Sequence, residues 1–448
     1  MKEWGSTNSI PVIGGGLAGC EAAMKLAQSG FPVRLYEMRP NRMTPAHQTG
    51  LLAELVCSNS LKSSDPATAH GLLKHEMRQF DSLILHCAEK NRVKAGSALA
   101  VEREAFAQSV TEAIEHHPMI EVVREELGEL PAEGPAVAAT GPLTSDAMAA
   151  SIQQLTGASA LFFFDAVAPI LDAESLDHTM VFPASRYGKG EADYLNCPMN
   201  EEEYRAFYDA LTAADPLPVD GVDAGLYFSG CMPIEAIAHK GIDTLRYGPM
   251  RPVGLTDPRT GRRPYAVLQL RAENNEKNMY SMVGFQTRMR FKDQETVFRL
   301  IPGLEQARFL RYGVMHRNTY INSPALLDGT LEFRARAGLF FAGQITGVEG
   351  YMESAFTGII AGINLARRLR GLDPLIPPPE TMIGSLLRHI TDPGRTGFQP
   401  MNANFGLLGP LDRPPRAKQD RHLAYTDRSL ETLGKFSEVF VNGIVNQK

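Results

Sequence analysis

The sequence predicts an α/β protein in which a parallel sheet of strand–helix–strand units is split by an inserted α+β domain. Three observations carry this. Short apolar runs alternate with helix-forming stretches over roughly the first 140 residues. Between 176 and 317 that rhythm gives way to short strands and Gly/Pro turns. It returns at 338–370 with a strand, a glycine turn and a long helix. The division places one discontinuous domain at 1–175 and 318–448, and the inserted domain at 176–317.

Each element has a local reason. Residues 10–13 form an apolar run in which Pro11 disturbs only the start. GGGLAG at 14–19 leads into strong helix formers at 21–27, which Ser29-Gly30 ends, and 33–37 predicts the second strand. Residues 41–64, rich in Thr, His, Asn and Ser, predict an irregular loop. Asp65-Pro66 predicts an N-cap and a first helical position opening a helix to about Lys90. A further helix is expected at 102–116, and strands at 120–123 and 136–139, the latter running into Thr140-Gly141. A strand at 338–343, a turn at 344–350 and a helix at 352–370 follow, and Pro-rich 376–380 leads into a mostly helical tail.

Composition narrows the function classes. The 448 residues are 44% hydrophobic and 21% charged, which suits a folded globular chain and excludes bulk disorder. No apolar run approaches the roughly 18 residues that span a bilayer, and the polar N-terminus lacks the apolar stretch of a secretory signal, so a cytoplasmic protein without membrane partners is expected. Five scattered cysteines with no CxxC pair argue against a disulfide scaffold or a zinc ribbon, and no metal site is expected. A net charge of −6 excludes a uniformly basic nucleic-acid coat. Residues 244–292, however, hold ten basic and three acidic residues, a window of +7 that suits a polyanion, with Arg262, Arg263, Arg288 and Arg290 among its basic members.

Gly14, Gly16 and Gly19 have the GxGxxG spacing between a strand and a helix. The first glycine makes a tight turn, the second admits a pyrophosphate to backbone N–H groups, and the third lets helix pack on strand. Gly15, Leu17 and Ala18 complete that loop, and Glu37, 18 residues past Gly19, ends the second strand where a carboxylate can accept ribose hydroxyls. A dinucleotide site follows. Thr140-Gly141 and Gly343-Gln344, each closing a later strand, favour FAD over NAD. This pairing resembles FAD-binding oxidoreductases of the glutathione-reductase type, so the expected fold is an FAD-binding Rossmann domain of that type with an inserted α+β domain.

Among the cysteines, Cys231 precedes Pro233, which suits a first helical position, so its thiolate would meet the positive end of a helix dipole. Cys57 lies in a polar loop after the first βαβ unit. The residues alone leave a reactive thiol and a small buried hydrophobe equally open for both. Cys20 and Cys87 fall on apolar helix faces and Cys197 is expected to be structural.

The stretches AELVCSNSL (53–61), ATGPLTS (139–145), ASRYGKG (184–190), GCMPIEAIA (230–238), VGFQTRM (283–289), RYGVMHRNTYINSP (311–324), AGQITGVEGYMES (342–354) and FQPMNANFGLL (398–408) join GGGLAG in one resemblance. Over nearly its whole length the chain resembles the folate- and FAD-dependent tRNA (uracil-5-)-methyltransferase family, TrmFO, related to the GidA/MnmG-type tRNA-modifying flavoproteins. The resemblance implies ribothymidine formation in the tRNA T-arm, with 5,10-methylenetetrahydrofolate as one-carbon donor and FAD, reduced by NAD(P)H, as the source of electrons. It implies Cys231 as nucleophile at uracil carbon 6 and Cys57 as acid/base, with His316 and His47 as candidates to stack on the folate pterin. Which thiol attacks depends on distances to the flavin and stays open. The departures are GLLGPL near the tail, Phe356 where a small residue is commoner, and GGG where GAG is usual. They leave ribosomal RNA as an alternative substrate. A non-catalytic RNA-binding flavoprotein would waste both motif cysteines, and a thiol–disulfide flavoenzyme would want a close cysteine pair. The larger wobble-uridine relative would need a long helical domain, for which too little chain is expected after Gly350.

Overall fold

The computed structural model describes residues 9–157, 161–166, 168–188, 191–215, 232–395 and 398–445, with the backbone alone for 161–166, 315–317 and 437–445. The first stretch runs β1 (Ile10–Ile13), α1 (Leu17–Gln28), β2 (Val33–Tyr36), β3 (Ser60–Ser63), α2 (Ala69–Arg78), α3 (Leu83–Lys90), β4 (Arg92–Val93), β5 (Ala98–Val101), α4 (Arg103–Glu115), β6 (Ile120–Val123), β7 (Ala136–Ala138) and α5 (Asp146–Thr156). After the connecting strand β8 (Leu161–Ala166) come β9 (Ile170–Asp172), β10 (Phe182–Pro183), β11 (Tyr194–Met199), α6 (Glu201–Ala213), α7 (Ile234–Ala238), α8 (Thr244–Tyr247), β12 (Ala266–Ala272), β13 (Met279–Met282), α9 (Phe291–Phe298) and β14 (Phe309–Arg311). The chain returns through β15 (Met315–Tyr320) and α10 (Ser323–Leu326) to β16 (Leu339–Phe341), α11 (Tyr351–Leu369), α12 (Met382–Thr391) and α13 (Lys418–Val445).

A parallel sheet in the order β16-β7-β1-β2-β6 organises the first unit. All its strands end on the same side, where open α/β sheets leave a crevice for ligands. α1 and α11 cross closely because small residues face each other. A Cβ on Gly358 would stand 2.1 Å from the Ala18 carbonyl oxygen, and one on Gly362 2.8 Å from that of Ala22. This core joins residues from both ends of the chain, among them Val12, Leu35, Val137, Phe341 and Ile359. An antiparallel sheet in the order β10-β11-β12-β13-β9-β14 forms a second unit with its own core, built on residues such as Leu268, Phe285 and Phe298. The ribbon β8·β15 joins the two units. This is the expected fold class, a Rossmann-type sheet interrupted by an α+β unit.

Two local differences have physical causes. β9, at residues 170–172, lies on the first-domain side of the expected 175/176 boundary, yet it pairs with β13 and β14 and Leu171 belongs to the second core. A three-residue strand is too short to show a period. The helix expected from Asp65 to about Lys90 instead begins at Ala69 and breaks at 79–82. Thr68 is its N-cap, its hydroxyl accepting from Gly71 N at 3.1 Å, while Asp65 closes the preceding turn by accepting from Ala67 N at 2.9 Å. The break is held from α1. The buried Glu21 carboxylate accepts from Ile84 N at 3.0 Å and from the Ser82 hydroxyl, capping α3 where a continuous helix would leave the Ile84 amide no donor to spare. Burial pushes Glu21 up to about 7 despite those bonds. Residues 41–64, expected to be irregular, contain β3.

Candidate active site

A cleft of about 1030 Å³, including its open mouth, lies at the carboxyl ends of β1, β2, β7 and β16. Gly14, Gly15, Gly16, Leu17 and Ala18 form its floor, with Glu37, Thr140, Gly141, Gly343, Gln344 and His47 around it. Gly14 has φ +105°, and a Cβ there would meet the Ala139 carbonyl oxygen at 2.4 Å, so only glycine makes this turn. Gly19 stands apart from the lining because its work is underneath, where a Cβ would sit 1.8 Å from the Gly14 carbonyl oxygen. Gly16 is the opposite case. Nothing lies within 4 Å of where its Cβ would be, and as N-cap of α1 it leaves the first-turn amides without a side-chain acceptor. Open space in front of unsatisfied N–H groups at a helix N-terminus fits a pyrophosphate, so the residues present suit a dinucleotide such as FAD.

Glu37 lies at the bottom of this cleft with both oxygens engaged. Oε2 accepts from Gly15 N at 3.0 Å and Arg39 Nη2 at 3.1 Å, and Oε1 accepts from Arg39 N at 3.0 Å and Arg39 Nε at 2.9 Å. Burial alone would raise its carboxyl, but the Arg39 guanidinium outweighs burial and holds it below the ordinary range. Arg39 Nη1 also donates to Glu54 Oε2 at 3.2 Å. Glu54 in turn accepts from Gln48 N at 2.7 Å and Thr49 N at 3.0 Å, shaping the loop that presents His47. His47 Nδ1 shares a hydrogen bond of 2.6 Å with the Thr44 hydroxyl.

The loop carrying the half-buried Cys57 borders the cleft, with Val56 and Tyr351 in its lining. Every residue from 55 to 59 is fastened. Arg103 Nη1 donates to Leu55 O at 2.6 Å and Nη2 to Cys57 O at 3.3 Å. Arg311 Nη2 donates to Val56 O at 2.9 Å and to Ala46 O at 3.2 Å. Cys57 N and Ser58 N donate to the Tyr351 hydroxyl at 2.8 and 3.1 Å. Arg271 donates to the Ser58 hydroxyl and to Asn59 Oδ1, both at 2.7 Å. Arg103 is itself paired with buried Glu273. Burial would raise that carboxyl, and Arg103 outweighs it and holds it low. Burial pushes the Tyr351 hydroxyl up, so it stays neutral and serves the two amides as acceptor.

The other sequence-predicted residues lie elsewhere. Cys231 lies outside the described residues. Pro233, expected at the first helical position, is instead the N-cap of α7, which begins at Ile234, and Ile234 N donates to Gln286 O at 2.7 Å. His316 is on β15 opposite Asp165, and its side chain lies outside the described ones. Arg262 and Arg263 are exposed on the turn before β12, Arg288 lies 3.9 Å from Glu235, and Arg290 lies 3.6 Å from Asp215. None of these four arginines lines the cleft. The +7 window is not one solvated patch. Arg271 is only 8% exposed, Arg259 pairs with Asp257 at 2.9 Å, and Arg246 caps the Tyr265 ring at 3.6 Å. Cys20, Cys87 and Cys197 are buried, and burial pushes their thiols up, Cys87 to about 11. Among the described residues no group of three or more His, Cys, Asp or Glu is placed to hold a metal ion, and no helix is long and apolar enough to cross a membrane.

A family model described as "Glucose inhibited division protein A" matches residues 9–373. The methylenetetrahydrofolate--tRNA-(uracil-5-)-methyltransferase TrmFO of Syntrophomonas wolfei is 59% identical over 433 residues, covering 97% of this chain and 99% of that protein. The chain belongs to the TrmFO family. The TrmFO of Geobacter sulfurreducens is 56% identical over 428 residues, covering 95% of this chain and 98% of its own. The solved structure of Aquifex aeolicus GidA shares the fold, with a TM-score of 0.67 at 16% identity over 98% of this chain and 77% of that one. Within this TrmFO chain, sequence reasoning missed Arg103, Arg271, Arg311 and Tyr351, the groups that hold the Cys57 loop. One signal for Arg271 was present. Gln269, Arg271 and Glu273 alternate with Leu268, Leu270 and Ala272, a polar stripe running along and just past a strand that is buried on both faces.

Proposed function

We propose that this chain transfers the one-carbon unit of 5,10-methylenetetrahydrofolate to carbon 5 of the T-loop uridine of tRNA, yielding ribothymidine in the cytoplasm. The carrying observation is 59% identity over 97% of the chain to a protein that bears this activity in its name. Gly16, the first amides of α1, Thr140, Gly141, Gly343 and Gln344 would hold FAD in the cleft. Bound FAD, reduced by NAD(P)H, supplies the electron pair that converts the transferred methylene to methyl.

The protein's own groups manage the uracil. Carbon 5 is a poor nucleophile until a thiolate adds to carbon 6 and makes the ring enolate-like. Cys231 fills that role in this reading. The bond from carbon 5 to the one-carbon unit then forms as that carbon's bonds to the folate nitrogens break and tetrahydrofolate departs, and the proton on carbon 5 leaves to a base. Cys57 takes that proton, supported by its place on a fastened loop at the border of the cleft. Departure of the Cys231 sulfur from carbon 6 restores the aromatic ring. His47, at the cleft, and His316 are the groups offered to the folate pterin. Arg262, Arg263, Arg288 and Arg290 are offered to tRNA phosphates.

The test is methyl incorporation from labelled methylenetetrahydrofolate, with NADPH and FAD, into unmodified tRNA and ribosomal RNA transcripts in parallel. Label in the tRNA T-loop is expected. Label in ribosomal RNA alone would keep the chemistry and change the substrate. No label in either by the FAD-loaded protein would refute the reading.

A further inference from the structure

An aromatic ladder climbs from the second core to the surface. Buried Phe298 stacks on Phe309 with centroids 6.4 Å apart. Phe309 stacks on Tyr312 at 5.4 Å with planes 4° apart, and Tyr312 on Phe291 at 4.5 Å and 14°. Phe291, the first residue of α9, is the outermost rung and is 50% exposed. One face rests on Tyr312, so its exposure belongs to the other face and the edges. Tyr312 is fixed in turn, because its hydroxyl donates to Glu295, which also pairs with Arg299 at 3.2 Å. A ring so held loses little freedom when something flat is laid on it.

The surroundings select the occupant. Lys292 is exposed beside Phe291, and Arg290 on its other side makes an exposed ion pair to Asp215 at 3.6 Å, weak enough to exchange for a phosphate. From 288 to 312 six basic residues outnumber three acidic ones, and one acid, Glu295, is already engaged. The ladder is one residue along the chain from a group that fastens the Cys57 loop. Tyr312 follows Arg311, whose guanidinium holds Val56, the neighbour of Cys57. An open ring face between cations suits an unpaired nucleobase, since every base has a π-face and its flanking phosphates want positive charge. An enzyme acting on a base in a structured loop must unstack it, and a platform replaces the stacking that is lost.

We propose that the open face of Phe291, backed by Tyr312 and Phe309, stacks an unpaired base of the substrate RNA loop, with Arg290 and Lys292 taking the adjoining phosphates. This rests on the RNA substrate of the proposed function. The test compares FAD-loaded wild type with Phe291→Ala, Phe291→Leu and Phe291→Trp, binding a T-arm hairpin transcript and a fully paired duplex of the same stem at one salt concentration. Phe291→Ala should weaken hairpin binding about 5- to 100-fold and leave duplex binding unchanged. Phe291→Leu, apolar but without a ring face, should behave like Phe291→Ala, and Phe291→Trp like wild type. Wild-type hairpin affinity in Phe291→Ala or Phe291→Leu overturns the platform. So does an equal loss for hairpin and duplex, or a change of sedimentation mass with RNA binding intact, which would make the face a contact between two copies. Wild type that methylates no RNA counts against the proposed function, and the hairpin comparison still decides the platform.

Discussion

Arg103 joins the electrostatics of the buried interface to the position of Cys57, and the two roles separate experimentally. Its side chain is 17% exposed and its partner Glu273 3% exposed. Arg103→Met leaves the Glu273 carboxylate buried without its main cation, which costs about 3–5 kcal/mol for a buried pair broken on one side. It also strips donors from the Leu55 and Cys57 carbonyls, at about 1–3 kcal/mol each where they stay dry. Adding Glu273→Leu removes the orphaned charge, and a buried pair replaced by apolar side chains is about neutral. The double variant should therefore recover most of the stability lost by the single one. It should not recover turnover, because nothing replaces the two bonds Arg103 gives the loop, and a displacement of about 1 Å at a reacting group lowers kcat about 100-fold. Thermal unfolding followed by flavin fluorescence reads the first quantity, and single-turnover methyl transfer the second. Recovery of turnover together with stability in the double variant would refute the positioning role. An Arg103→Met protein as stable as wild type would refute the burial of the pair.

The glycine loop separates cofactor binding from folding. Gly16→Ala should fold within about 1 kcal/mol of wild type as apoprotein yet bind FAD about 10- to 100-fold less tightly, one charge-assisted hydrogen bond being worth about 1.5–3 kcal/mol. Titration of apoprotein with FAD checks this, and wild-type affinity would place the phosphates elsewhere. Glu353 is a pH probe of the α11 N-terminus. Burial would raise it, but Lys62 at 3.8 Å, His70 at 3.1 Å and Ala403 N outweigh burial and hold it at about 2. A carboxyl held below its unfolded value stabilises above that value. Up to about 3 kcal/mol is thus present above about pH 4.5 and lost as pH falls toward 2. Denaturant midpoints of Glu353→Gln should show a flatter acid limb than wild type. Cys231→Ala should abolish covalent trapping of a 5-halogenated uridine RNA, seen as loss of the shifted band on denaturing gels, and persistent trapping would move the nucleophile to another thiol. Reversing Arg262 and Arg263 to Glu should weaken tRNA binding and flatten its salt dependence, each lost phosphate contact removing about 0.7–0.9 from the log–log slope. Unchanged affinity would make that turn ordinary solvated surface.

What was legible in the sequence was what is contiguous. The strand, glycine turn and helix at 10–28 encode their own geometry, because each glycine's constraint comes from residues a few positions away or from the strand beside it. Glu37 was legible as the acid ending β2, but not its capture by Arg39, since a guanidinium two residues on reads as an ordinary surface charge. The break between α2 and α3 was hidden because its cause, the Glu21 carboxylate, sits 63 residues before Ile84. Arg271 falls inside the +7 window of residues 244–292 without standing out there, because local composition records the sign of a residue and not its depth.

The Cys57 loop shows why such contacts matter for the chemistry. Its partners stand 42 to 294 positions away, so no window of sequence contains them. They also divide between the two cores. Arg103 and Tyr351 come from α4 and α11 of the first unit, whereas Arg271 and Arg311 come from β12 and β14 of the second. Asn59 bonds both ways, its Nδ2 donating to Val101 O at 3.1 Å and Ala272 O at 3.0 Å. Neither unit alone satisfies the backbone of residues 55–59, and a buried amide or carbonyl left unpaired is too costly for the loop to keep this shape. The thiol's position is therefore a property of the docked pair, and any substitution that loosens the interface displaces Cys57 before it unfolds either core.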